Sequence, residues 1–167
     1  MPHVNNNGVR IEYELLGQGE PLVLIHGWSC EGRYWREFGY VAKLSEEFTV
    51  IIPDLRGHGR SDKPRNGDFT DAAFASDVVA VLDDAGIDSA HVFGYSLGGW
   101  VVFELIANHS ARIKTPITTA ANRRSTARRG QSRRFRRPDN STSRPHLPQV
   151  VARALSPAKP RQLGHLM

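Results

Sequence analysis

Apolar and polar positions alternate through Val9-Arg10-Ile11-Glu12-Tyr13-Glu14-Leu15. That two-residue period predicts a half-buried strand, ended by Gly17-Gln18-Gly19. Pro21-Leu22-Val23-Leu24-Ile25 is instead continuously apolar, as in a parallel strand covered on both faces. Glu31 to Glu47 carries Tyr34, Trp35, Phe38, Val41 and Leu44 at helical spacing, which predicts a helix over 31–47. Phe48 to Ile52 reads as a second buried strand, closed by Pro53-Asp54, and 54–67, rich in Gly, Arg, Asp and Pro, reads as a loop. Phe74, Val78, Val81 and Leu82 recur on one helical face, with Thr70 or Asp71 as the N-cap and Gly86 as the stop. Ala90-His91-Val92-Phe93 predicts a third buried strand, and Leu97 to Asn108 an apolar helix. Strands alternating with helices predict an open α/β sheet with helices on both faces.

That pattern stops near residue 115. Arg112-Ile113-Lys114-Thr115 reads as the lead-in to another strand, but no buried apolar run follows. The chain has 167 residues and a net charge of +5. Residues 1–113 hold 9 Lys+Arg and 16 Asp+Glu, a charge of −7. Residues 114–167 hold 13 Lys+Arg and one acid, Asp139, a charge of +12. Leu, Ile, Val and Phe fall from about 29% of the first segment to about 15% of the second, below the ~20% at which a charged chain is expected to lack a core. The expected division is therefore a partial α/β domain over 1–115 and a basic, disordered tail over 116–167.

Some function classes drop out. No run of 18 apolar residues is present, so no membrane-spanning helix is expected. The N-terminal Met1-Pro2-His3-Val4-Asn5 lacks the basic-then-apolar pattern of a secretory leader. A lone cysteine, Cys30, cannot form an internal disulfide and fits a reducing compartment, so a cytoplasmic location is expected. His, Cys and carboxylates do not cluster at metal-ligand spacing, so no metal is expected.

The chemistry-bearing motif is Gly94-Tyr95-Ser96-Leu97-Gly98-Gly99, between the third buried strand and the next helix. A G-x-S-x-G sequence in that context places its serine on a sharp turn with the hydroxyl exposed. Gly94 and Gly98 flank it because side chains there would strike the adjoining strand or helix. The helix starts at the serine, so its free N–H groups face the reacting carbonyl, and the N–H of Leu97 is the natural first oxyanion donor. His26-Gly27-Trp28 directly follows the first buried strand. Gly27 lets the chain turn, and the N–H of Trp28 would supply the second donor in the crevice at the strand ends.

These segments, with Asp54-Leu55-Arg56-Gly57-His58-Gly59-Arg60-Ser61-Asp62 between them, resemble the α/β-hydrolase family over about residues 8–115. The likeness is to its esterase, epoxide-hydrolase, dehalogenase and haloperoxidase-like group. It covers roughly the first half of a typical member. The resemblance implies an N-terminal part of an α/β-hydrolase sheet, mostly parallel. It also implies hydrolysis of an ester, lactone or related acyl bond through an acyl-Ser96 intermediate. Serine at the turn favours that branch, since epoxide hydrolases and dehalogenases usually place aspartate there. A small-molecule acyl substrate and no cofactor are expected.

The family's later Asp or Glu and His are not identifiable. Asp139 and His165 keep the order Ser, Asp, His, but no strand precedes Asp139 and His165 lies at the terminus; we read this as chance, and His146 likewise. The switch to arginine pairs at 123–124, 128–129, 133–134 and 136–137 suggests a tail read out of frame, which would leave a truncated, catalytically impaired hydrolase. The alternative is a non-catalytic protein whose arginine-rich tail binds nucleic acid or anionic surfaces by charge. Its single aromatic, Phe135, offers little base stacking, so specific nucleic-acid binding is not expected. The oligomeric state is not legible.

Other residues carry plainer readings. His26 shapes the loop rather than acting as a base, and His58 is a loop residue. Asp54 and Arg56 tie the loop to neighbouring backbone. Trp35 packs in the core, and Cys30 is a small buried residue rather than a nucleophile.

Overall fold

A computed structural model of the chain describes residues 1–65 and 67–119. The candidates Asp139, His146 and His165 and the arginine pairs lie outside the described residues. Six strands form one sheet in the order β1-β2-β4-β3-β5-β6. They are β1 (His3–Asn6), β2 (Val9–Leu16), β3 (Glu20–Ile25), β4 (Phe48–Pro53), β5 (Ala90–Tyr95) and β6 (Ile113–Thr119). β1 and β2 enter antiparallel, whereas β4, β3, β5 and β6 run parallel to one another. The sheet is thus mostly parallel with flanking helices, the class the sequence pattern predicts.

The continuous apolar strands show why both faces are covered. Leu22, Leu24, Val50, Ile52 and Phe93 point to one side, where they pack with Trp35, Tyr40, Val41 and Leu44. Val23, Ile25, Ile51 and Val92 point to the other, against Phe74, Val78, Val81, Val101, Val102 and Leu105. Successive side chains of a strand face opposite ways, so only an unbroken apolar run can fill two cores.

Helices α1 (Arg33–Glu37) and α2 (Tyr40–Leu44) cover the first face; α3 (Asp71–Asp84) and α4 (Leu97–Asn108) cover the second. The helix predicted over 31–47 is in fact two short ones. Gly39 stands between them at φ +78°, a left-handed turn that interrupts the helix while leaving Trp35, Tyr40, Val41 and Leu44 in one cluster. Thr70 caps α3, its hydroxyl accepting the Ala73 N–H at 3.2 Å. After Ala85, Gly86 N–H reaches Asp83 O and Ile87 N–H reaches Leu82 O, closing the helix as a Schellman turn.

Two strands differ from the pattern reading. β1 is absent from it, because His3–Asn6 has a single apolar residue and is held by pairing with β2. β6 does not stop at Thr115 but continues to Thr119, pairing with β5 as far as Tyr95↔Thr119. Its residues alternate between half-buried and exposed, so it makes no buried apolar run. Among the described residues it is one edge of the sheet, and β1 is the other. No described helix is long and apolar enough to cross a membrane.

Candidate active site

The chain leaves β3 for β4 on one side and later returns to β5 on the other, so β3 lies between them. Loops leaving the carboxyl ends of β3 and β5 therefore diverge from adjacent strands and bound a crevice, the usual ligand position in an open α/β sheet. His26-Gly27-Trp28 follows β3 and Ser96 follows β5.

Ser96 sits between β5 and α4 with φ +53° and ψ −109°. This lies outside the left-handed helical well and is a strained backbone for a residue with a Cβ. Its neighbours enforce it. A Cβ on Gly94 would overlap the carbonyl oxygen of Gly98, and a Cβ on Gly98 would overlap that of Ile25. The turn is thus wedged against the end of β3 with only glycine between them. Gly27 closes the other side: a Cβ there would stand 3.2 Å from Ser96 Cβ and 3.0 Å from the Tyr95 ring. Ser96 and Leu97 are half-buried, and Tyr95 is exposed. Ser96 makes no side-chain cap on α4.

The loop after β3 is pinned through its histidine. His26 is buried, and its Nε2 accepts the Leu55 N–H at 3.0 Å. The ring is therefore protonated on Nδ1, which donates to the Gly27 carbonyl at 2.8 Å. Burial lowers its pKa, opposed by the bond to Gly27, and so favours the neutral ring. The Gly27 carbonyl also accepts the Cys30 N–H at 3.1 Å, across a turn with Ser29 at φ +59°. A peptide is planar and trans, so fixing the Gly27 carbonyl fixes the opposed direction of the Trp28 N–H. The Trp28 side chain is exposed and meets His58 edge-on at 5.3 Å.

The loop 54–62 carries the opposite anchors. Asp54 accepts Gly32 N–H at 2.6 Å and Arg60 N–H at 2.9 Å. Ser61 Oγ donates to Asp54 O at 2.5 Å and accepts Glu12 N–H. His58 Nδ1 donates to Arg56 O at 3.0 Å, and its ring lies 5.1 Å from that of His26. Arg56 departs from the backbone-tying expectation. It forms a buried pair with Asp77 of α3, through Nε and Nη2 to the two carboxylate oxygens at 2.7 Å each. Only its third bond, Nη1 to Asp68 O at 2.9 Å, goes to backbone.

Asp77 is the residue that sequence reasoning missed. It lies on the same helical face as Phe74, Val78 and Val81 and is wholly buried. A charged residue inside an apolar stripe was the available signal. Trp35 packs in the core against Tyr40 and Phe93. Cys30 is half-buried, and burial raises its pKa, which disfavours the thiolate. A cleft of about 380 Å³ adjoins the site, lined by Trp28, Ser29, His58, Lys63 and Phe69 among others. Among the described residues no histidine is hydrogen-bonded to Ser96, and no three ligating side chains could hold a metal.

A family model described as "alpha/beta hydrolase fold" matches residues 20–163. The chain is 44% identical over 97 residues to a soluble epoxide hydrolase of Corynebacterium sp. (strain C12), covering 58% of the chain and 33% of that relative. It is 34% identical over 112 residues to a pimeloyl-[acyl-carrier protein] methyl ester esterase of Aeromonas hydrophila, covering 67% of the chain and 42% of that enzyme. Among solved structures, Est816, described as an N-acyl homoserine lactone degrading enzyme, matches with TM-score 0.66 and 40% identity. That match covers 70% of the chain and 44% of Est816. The chain thus spans about a third to less than half the length of these relatives.

Proposed function

The chain belongs to the α/β-hydrolase fold family, and from that premise we propose that it is a serine hydrolase of ester, lactone or related acyl bonds. Ser96 Oγ attacks the acyl carbon. The carbonyl π pair moves to oxygen, and the backbone N–H groups of Leu97 and Trp28 receive that oxyanion. Its collapse breaks the bond from the acyl carbon to the leaving oxygen, which departs as an alcohol with the proton given up by Ser96. Water then cleaves acyl-Ser96 to the carboxylic acid and the free hydroxyl. The observation that carries this reading is the strained Ser96 turn, wedged by Gly94 and Gly98 and faced by Gly27. The relatives named as an esterase and a lactone-degrading enzyme support the acyl branch. The relative named as an epoxide hydrolase fits a serine nucleophile less well.

The reading includes impaired turnover. The attack needs a base for the hydroxyl proton, and His26 has both ring nitrogens committed. His58 donates to Arg56 O. Neither bonds to Ser96.

The test is labelling of the purified chain by a fluorophosphonate, beside turnover of an activated ester. We expect slow labelling that Ser96→Ala abolishes, because the probe needs the same proton removed from the hydroxyl, with turnover far below the ~10 s⁻¹ of an ordinary enzyme. Labelling unchanged by Ser96→Ala would remove the nucleophile assignment. Ser96-dependent turnover within about tenfold of that rate would remove the impairment. An arginine-rich charge binder would give no Ser96-dependent label.

A further inference from the structure

The buried Arg56–Asp77 pair lies outside the reacting groups, yet it is joined to them by hydrogen bonds. Asp77, fully buried in α3, accepts both arms of Arg56 and also the Asn6 amide N–H at 2.8 Å. Arg56 itself is 5% exposed. A bidentate guanidinium–carboxylate pair fixes orientation as well as distance. The residue before Arg56 is Leu55, whose N–H holds His26 Nε2. The Arg56 carbonyl receives His58 Nδ1–H, and the His58 ring contacts both His26 and Trp28. His26 in turn holds the Gly27 carbonyl, and through the planar peptide the Trp28 N–H.

We propose that Asp77 and Arg56 are positioning residues for the oxyanion-binding peptide, transmitting the placement of α3 through Leu55 and His26 to the Trp28 N–H. This rests on the assignment of Trp28 N–H as an oxyanion donor. Such a donor must be held close to its working geometry to be effective, and a loop on its own is a poor holder. The pair supplies the rigid element: α3 is capped at both ends and buried along one face. The Leu55 N–H on Nε2 is what sets the His26 tautomer, so that tautomer reports whether the route is intact.

Removing one partner leaves a buried unpaired charge and risks unfolding. The deciding variant therefore replaces both, Arg56→Met with Asp77→Leu, since a buried pair exchanged for apolar residues commonly keeps its fold. Two measurements are made on the full chain. Side-chain ¹⁵N spectra of His26 report the Nδ1–H tautomer, and fluorophosphonate labelling reports Ser96. In the parent, His26 is expected as Nδ1–H. In the double variant, with the melting temperature kept, we expect that signature to be lost and labelling to slow at least tenfold. Arg56→Lys, which keeps charge but not the fork, should fall between.

A folded double variant that keeps the Nδ1–H signature, or that labels at the parent's rate, overturns the proposal. A merely structural pair would behave in that way. If the parent shows no Ser96-dependent labelling, the nucleophile reading fails separately. The tautomer then decides whether the pair positions the loop: its loss supports the route and its retention overturns it.

Discussion

Replacing Ser96 by glycine should make the protein more stable than replacing it by alanine, the reverse of the usual order next to a helix. At φ +53° and ψ −109° the Ser96 Cβ is strained, at a cost of about 1–3 kcal/mol for such an outlier. Alanine keeps the Cβ and so keeps that cost. Glycine relieves it but adds unfolded-state freedom worth about 0.5–1 kcal/mol. Capping does not intrude, because the Ser96 side chain makes no cap bond that either substitution would lose. The net expectation is Ser96→Gly above Ser96→Ala by about 1 kcal/mol. Unfolding entropy near 2.1 cal/mol/K per residue over about 120 residues gives about 0.25 kcal/mol/K, so that difference is about 4 °C in melting temperature. The assay is thermal and urea unfolding of the parent and both variants, with the fluorophosphonate label as a control that both have lost the hydroxyl. Ser96→Gly equal to or less stable than Ser96→Ala would refute the reasoning. It would mean that the turn stores no strain at Ser96.

Gly98→Ala sets a small Cβ against the Ile25 carbonyl of a central strand, so it should destabilise by about 1–3 kcal/mol; a urea midpoint within error of the parent would contradict this. Stability should also fall as pH drops below the ordinary histidine pKa of about 6.5. Burial depresses the folded-state pKa of His26, and of His91 with help from Lys114, so there the unfolded chain binds protons that the folded chain does not. For the buried His26 the loss runs at up to about 1.4 kcal/mol per pH unit until its depressed folded pKa is reached, and the partly exposed, solvent-screened His91 contributes less. Urea midpoints at pH 7.5 and 5.5 should therefore differ less in His26→Gln than in the parent, and an equal fall in both would refute His26 as a source.

Much of this was legible along the chain, and for a local reason. Runs such as Pro21–Ile25 and Phe48–Ile52 have no polar face, and a strand without a polar face must be covered on both sides. The parallel sheet and its two helical layers follow from that. The Ser96 turn was equally local: two glycines, a preceding strand and a following helix lie within a few residues of one another. Gly39 was not read as a break, because the apolar spacing of 31–47 persists through two short helices facing the same core. β1 was invisible because its partner strand, not its own residues, holds it.

What only the tertiary structure decided is which distant groups meet. Gly27 and Ser96 lie on loops far apart in sequence, and the adjacency of β3 and β5 brings them within van der Waals reach. His26 reads from sequence only as a residue that shapes a loop; its tautomer follows once Leu55 N–H is seen to occupy Nε2. Asp77 shows in sequence merely as a charge in an apolar stripe, and its partner 21 residues earlier is set by the packing of α3 against the loop after β4. Periodicity records how each segment faces the core. Pairings between segments depend on strand order and register, which a one-dimensional pattern does not encode.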